Sequence, residues 1–524
     1  MKKQRIILVG LSLLLMLSLV AALGVSAAPK KVELSIACWD IETALANADK
    51  DPVYQAISNK LNIAIKPINV NWDDWRSKVA MWGASGQLPD VFVLDGVGTQ
   101  LINSWEKQGI VKGIAAAKFK KYPNLTKYMD APDIRALNSG GKYYAIPRKT
   151  YQSLDYNALD RVVLYRWDWA QKAGFTKEPD TYPEFAEMLK GIMAKDPDGT
   201  KPVGLTAENY INFAGFGWLN GNPLATGDGS GVDNKWIKED GKWVPALFSK
   251  KSLTALKNIR RWYEDGVLDQ DIGILKGDQA ADKFVAGKAV ALVIAGGFTR
   301  SFQRVEDLKW SKAYPGKKFT EMVRVLRPLK AADGNRYHPV FKTYWSESYL
   351  SGKINNKKLD AILKLYDFLV SPEGKTLLNY GIEGVDYKKE GNKIIRLDPK
   401  TVLNDKYKSL IALSSLAQWQ DGEAVDDPNN TVIGDPIYKQ QAVEFMNFVK
   451  TQTKIPPYNA RLTYISTPAK DKFIAKDADE LLKVLISREA VEKAWQGIVD
   501  SYKAKGLDQM IQEVNAAAKK MGIK

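Results

Sequence analysis

VELSIACW (residues 32–39), IAIKPINV (63–70) and VFVL (91–94) decide the fold, because each is an apolar run of strand length and the intervals between them carry helical spacing. Asp51 to Leu61 reads as the first helix. Asp73 to Trp82 reads as the second, with Trp75, Val79 and Trp82 on one face, and it stops at Gly83 before the turn SGQLPD (85–90). The order is βαβαβ. Crossovers of this length give a parallel sheet with helices on its faces, and ligands bind such sheets beyond the carboxyl ends of the strands. Asp40 and Asp95 each follow directly on a strand, so both are expected in one crevice.

Further along, Tyr143 to Ile146 is a strand and residues 151–160 are irregular. They are read as a hinge, since a new series of strands and helices starts at Val162. Helical patterns follow at Tyr182 to Met193, Leu253 to Asp265 and Asp278 to Val285, with a short apolar strand at Ala289 to Ile294. Lys357 to Val370 is a strongly amphipathic helix, and Ala478 to Met521 reads as two or three helices with a stop at Gly506.

The 524 residues are 45% hydrophobic and 26% charged, the balance of a folded chain of two or three domains. One His (His338) and one Cys (Cys38) exclude an internal disulfide and a multi-His or multi-Cys zinc site. At the start, Lys2, Lys3 and Arg5 precede an uncharged apolar run from Ile6 to Leu23, and Val25-Ser26-Ala27 has the small residues of a cleavage site. Residues 1–27 are therefore expected to be a signal peptide, with an uncleaved anchor as the alternative, and the mature chain to start near Ala28 in the periplasm or outside the cell. Cys38 lies beyond Lys30, Lys31 and Glu33, outside the apolar run, and is expected as a buried side chain of the first strand and not as a lipidation site. Losing the leader takes three of the 76 Lys and Arg, leaving 73 against 60 Asp and Glu, a net of +13. The basic residues are dispersed among acidic ones with no run of five or six, which argues against nucleic acid or a membrane surface as partner.

Five segments carry a resemblance: ASGQLPDVFVLDG (84–96), GGKYYAIPR (140–148), LYRWDWAQKAGF (164–175) with EPDTYPEF (178–185), FVAGKAVALV (284–293) and YGIEGVDY (380–387). In this order the chain resembles the extracellular solute-binding proteins of family 1, in the long oligosaccharide-binding branch that serves ABC importers. The resemblance implies an α/β, two-lobed periplasmic-binding-protein-like fold with a hinge and a cleft between lobes. It implies a monomer that binds an oligosaccharide and docks to ABC transporter permease subunits, with no enzymatic activity and no cofactor. On this pattern residues 28–150 form the first part of lobe 1 and 151–284 the first part of lobe 2. Residues 285–345 return to lobe 1, and 346–524 complete lobe 2 with the C-terminal helices. The turn DPDGT (196–200) resembles the start of a calcium loop, but the family's Gly, Lys and acidic pair that follow are replaced by KPVGL (201–205), so an Asp-rich turn without metal is expected.

A sugar offers apolar C–H faces rimmed by hydroxyls, so its site needs flat aromatic surfaces and paired donors and acceptors. Trp39 with Asp40, Asp95, Trp218 in GFGWLNGN, Tyr344 and Trp345 in TYWSES, and Trp419 before Asp421 fit this description, and each aromatic ring could equally pack in a core. Trp167, Trp169, Trp262 and Trp495 lie in helical patterns and are assigned to cores. Arg148 and Arg461 suit paired hydroxyls or a carboxylate, with a salt bridge as the alternative use. Asp40, Asp95 and Glu383 could also be the carboxylates of a secreted glycoside hydrolase or polysaccharide lyase, the competing function. Those three would make the crevice acidic, which favours a neutral oligosaccharide over a uronate despite the positive net charge and the nearby Arg148, Arg461 and Lys342.

Overall fold

The computed structural model describes residues 30–523 apart from residues 160, 208–235, 276–277, 296–304, 306–308, 332, 339–341, 392, 399–400, 418–424, 426–434 and 456–458. The opening strands β1 (Val32–Trp39), β2 (Ile63–Val70) and β3 (Val91–Leu94) are parallel, with Trp39 opposite Val70 and Ile36 opposite Val91. Helix α1 (Pro52–Leu61) starts at Asp51, whose carboxylate accepts the Val53 and Tyr54 amides at 3.0 and 3.1 Å, with Pro52 at its first position. Helix α2 (Trp75–Ser85) and helix α3 (Gln100–Gln108) bury Trp75, Val79, Ile102 and Trp105 against the sheet.

Strand β4 (Ala145–Lys149) ends the first passage through this lobe. Strands β5 (Arg161–Arg166), β6 (Val203–Ala207), β7 (Ala289–Ala295) and β8 (Val323–Val325) build a second sheet in the order β8-β5-β7-β6. The chain then returns, and β9 (Tyr344–Leu350) inserts antiparallel between β3 and β4 to complete the first sheet, β2-β1-β3-β9-β4. Each sheet has its own hydrophobic core, so the molecule is a two-lobed α/β protein.

Two boundaries expected from the sequence are corrected. The apolar strand at 289–295, assigned to a lobe 1 return, pairs with β5 and β6 in the second sheet. The return begins only with β9. Residues 346–417, assigned to lobe 2, stay in the first lobe: the helices Asn356–Leu369, Pro372–Tyr380 and Ser409–Ala417 bury Ile362, Tyr366, Leu378 and Leu413 in the first core. From Pro436–Gln452 onward the chain packs on the second core, including Asp477–Ile486, Val491–Lys503 and Leu507–Lys520. The last two helices are parted at Gly506, whose φ of 95° is the left-handed turn expected there. Going by the described residues, the chain therefore passes between the two cores three times: after Ile146 and before Tyr151, after Leu329 and before Tyr344, and after Ala417 and before Val425. Trp167, Trp169, Trp262 and Trp495 are all buried in the second core, as assigned, and Cys38 is fully buried in β1.

Candidate functional site

The first sheet has one functional edge. The carboxyl ends of β1, β2, β3 and β4 reach it together with the amino end of the antiparallel β9, because Leu94 pairs with Glu347 and Lys149 with Tyr344. Between Tyr344 and Ser346, β9 advances two residues while β4 advances one. Trp345 is thus an extra residue in the ladder, a bulge of the kind that re-aims a side chain at a sheet rim.

Among the described residues, four indoles converge at this edge. Trp75 is fully buried at the start of α2 and meets Trp39 edge-on, with centroids 4.7 Å apart and planes at 72°. Trp39 lies 5.2 Å from Trp72 and 5.7 Å from Trp345. Trp72 and Trp345 stack at 5.4 Å with planes only 25° apart. Burial decreases outward, from Trp75 and Trp39 through the half-buried Trp345 to Trp72, which is 51% exposed. The result is an aromatic platform whose most exposed member is Trp72. Asp40 ends β1 abruptly: its φ of 57° lies in the left-handed region that Asp tolerates better than most residues, and it leads into the short turn Ile41–Ala44 with its side chain exposed.

Beside the platform, Arg76 and Asp95 form a fixed pair. Arg76 Nε donates to the two Asp95 oxygens at 2.9 and 3.1 Å, and Nη2 donates to Oδ2 at 2.5 Å. The guanidinium carbon sits 4.4 Å from the Trp75 ring centroid. The Asp95 side chain is buried and that of Arg76 half exposed, so the pair presents its cationic edge to solvent. The turn after Asp95 is held from below by Glu347, whose Oε2 accepts the Gly96 and Val97 amides at 2.9 and 3.3 Å and the Tyr349 hydroxyl at 3.1 Å. Gly96 lets Ile102 pack against this turn, since a Cβ there would come within 2.5 Å of it. Burial pushes the Glu347 carboxyl up to about 7, against the opposing pull of the Lys342 ammonium 3.5 Å away. Arg148, wholly buried, places its guanidinium 4.6 Å from the Trp39 ring centroid and supports the platform from within.

The remaining predicted residues separate. Tyr344 is buried and its hydroxyl pairs with that of Tyr464, next to Leu462 and Ile465 of the second core, so it ties the lobes together and does not face the platform. Glu383 is on another surface, paired with Lys389 at 2.9 Å in a depression of about 480 Å³ lined by Phe368, Leu377 and Tyr387. Arg461 is exposed, and its Nη2 donates to the Met521 carbonyl at 2.8 Å. Trp218 and Trp419 lie outside the described residues. The carboxylates needed for the hydrolase reading are not gathered: Asp95 is engaged by Arg76, and Glu383 by Lys389. The sequence reading missed Trp72 and Arg76. Trp72 stands two residues beyond β2, so the strand-end rule applied to Asp40 and Asp95 would have found it.

The turn at 196–200 does not fit a calcium ion. Asp198 accepts the Trp169 indole N–H and the Lys172 ammonium, each at 3.0 Å, one on each carboxylate oxygen, and Arg166 Nη2 stands 3.7 Å away. Asp196 caps the preceding helix in the left-handed region and accepts the Lys201 amide at 3.0 Å. Burial raises the Asp198 carboxyl, but the donors from Lys172 and Trp169 outweigh it and leave the group below the ordinary range. Both Asp198 oxygens are thus spent on protein donors and not left for a metal ion.

No family model matches the chain. It is 24% identical over 357 residues to lipoprotein LipO of Bacillus subtilis (strain 168), covering 65% of either chain, so the match spans somewhat less than two thirds of that relative. It is 22% identical over 458 residues to the polygalacturonan/rhamnogalacturonan-binding protein YtcQ of the same organism, covering 83% of this chain and 82% of the other. Among solved structures, alginate-binding protein AlgQ2 without calcium ion superposes with a TM-score of 0.67 at 19% identity, over 94% of this chain and 99% of that one. The Streptococcus pneumoniae ABC-transporter substrate-binding protein FusA with kestose superposes at 0.66 and 16% identity, over 94% and 99%. The fold is that of the two-lobed solute-binding proteins, and the resemblance read from the five segments is borne out.

Proposed function

We propose that the chain is the extracytoplasmic substrate-binding protein of an ABC importer, which captures an oligosaccharide between its lobes and passes it to the permease subunits without chemical change. The platform of Trp39, Trp72 and Trp345 at the carboxyl edge of the first sheet carries this reading. The exposed surface of Trp72 matches the C–H face of a pyranose, and the half-exposed Arg76, held by Asp95, and Asp40 match its hydroxyls. The similar proteins are named for saccharide polymers or oligomers and for ABC transport. Three passages between the lobes suit a hinge that closes by rotation. The leader at 1–27 supports export, and among the described residues no helix is long and apolar enough to cross a membrane. The working unit is the monomer.

The test is calorimetric titration of the mature chain with plant and microbial oligosaccharides, with reducing ends assayed in parallel. Saturable binding without new reducing ends is expected. New reducing ends from a bound glycan would replace this reading with the hydrolase, and no saturable binding to any saccharide would reject it.

A further inference from the structure

We propose that the first lobe's half of this site selects a neutral sugar and disfavours a uronate, an inference that rests on the oligosaccharide reading and names the charge class of its ligand. Two features point the other way: the net charge is strongly positive, and a half-exposed arginine stands beside the stacking platform. The arrangement around that arginine decides otherwise.

Arg76 spends its side-on fork, Nε with Nη2, on Asp95, and the buried Asp95 carboxylate cancels its charge at contact distance. What remains toward a ligand is the Nη1 edge, which makes no hydrogen bond to a described residue. A uronate docking there would stand end-on to a guanidinium already neutralised, with Asp95 on the same group. The other cations on α2, at the end of β4 and next to β9 are engaged as well. Lys78 pairs with Asp74 at 3.0 Å, and the Lys149 ammonium lies 5.3 Å from the Tyr128 ring centroid. Arg148 is buried behind Trp39, and the buried Lys342 faces Glu347. Two exposed carboxylates flank the platform in sequence, Asp40 after Trp39 and Asp73 after Trp72, and neither has an ion-pair partner among the described residues. The formal charges at this edge roughly balance, but the cations are buried or engaged, and the exposed charges without an ion partner among the described residues, Asp40 and Asp73, are both acidic. A neutral pyranose meets a fixed donor edge on Arg76 and acceptors on Asp40 and Asp73, whereas a uronate meets uncompensated negative charge.

The test uses matched probes on the mature chain: tetragalacturonate and its fully methyl-esterified form, with kestose and xylotetraose as further neutral oligomers, each titrated at low and high salt. At least one neutral probe is expected to bind, with a Kd that changes by less than about threefold with salt, because no ion pair is screened. Tetragalacturonate is expected to bind at least about tenfold more weakly than its ester. Asp40→Asn, which Asn's tolerance of the left-handed region allows to fold, should raise affinity for tetragalacturonate relative to the ester, and Asp95→Asn should do so more strongly by releasing the Arg76 charge. Tight, salt-sensitive binding of the uronate alone overturns the proposal while leaving the oligosaccharide reading intact, as does an unchanged preference in both variants. Failure of every saccharide to bind rejects the underlying reading instead.

Discussion

Trp72→Ala should separate ligand binding from stability. The ring stacks on Trp345 at 5.4 Å and is 51% exposed, so about half of its surface is packed and about half reaches solvent. A tryptophan side chain presents roughly 250 Å², which leaves about 120 Å² open on Trp72. A pyranose covering some two thirds of that removes about 80 Å² from water, worth roughly 2 kcal/mol at 25 cal/mol per Å². The expected weakening of Kd is about thirtyfold, within the range of aromatic anchors in interfaces. Stability should fall by no more than about 1 kcal/mol, since a half-exposed ring leaves little cavity. Trp75→Ala gives the opposite pattern: that ring is fully buried, and its removal should lower stability by about 3 to 5 kcal/mol. Isothermal calorimetry measures the first effect without relying on indole fluorescence, and urea denaturation followed by circular dichroism measures the second. A Trp72→Ala protein that is folded, equally stable and unchanged in Kd would refute the stacking argument, and Trp345→Ala failing likewise would remove the platform from the site.

Three other outcomes follow from particular contacts. Glu347 titrates near 7 in the fold against an ordinary 4.5, so the folded state holds an extra proton between those values and stability falls as pH rises through that window, by up to roughly 3 kcal/mol. Glu106, also pushed up to about 7 by burial, adds a slope of its own; Glu347→Gln should therefore flatten the urea midpoint between pH 4.5 and 7 only in part, and an unchanged slope would count against Glu347. Calcium or EGTA should leave the thermal midpoint within about 1 °C, whereas Asp198→Ala, which strips the partner from Trp169 and Lys172, should destabilise by about 1 to 3 kcal/mol; a calcium-dependent midpoint would show that the turn takes a metal after all. Saturating ligand should reduce the radius of gyration in small-angle scattering, and no change would argue against closure about the three passages.

The parts of the fold that are legible in the sequence are those fixed by neighbours in the chain. β1, α1, β2, α2 and β3 follow one another, so period and punctuation place them, and the strand ends by themselves put Trp39, Asp40 and Asp95 at one edge. The insertion of β9 between β3 and β4 is not legible, since its partners lie some 250 and 200 residues away and no local pattern carries that pairing. The same limit explains the misassigned strand at 289–295. AVALVIA is apolar on both faces, so alternation says that it is buried but not in which sheet.

Charge is harder to read than position. Asp95 looks like a free carboxylate in the sequence and counts there toward an acidic crevice. In the fold it is one half of a neutral pair, because α2 brings Arg76 back across the end of β3 at a separation of 19 residues that no helical or strand period predicts. The exposed acidic charge beside the platform comes instead from Asp40 and Asp73, which have no ion partners among the described residues. Tyr344 and Trp345 show the complementary case. Adjacent residues on a strand point to opposite faces, so at most one of the two could belong to the crevice. The bulge at Trp345 and the Tyr464 hydroxyl determine which, and both arise from tertiary contacts. A binding site of this kind is thus half legible from the chain: strand ends locate it, while the partners that set its charge and aim its rings come from distant segments.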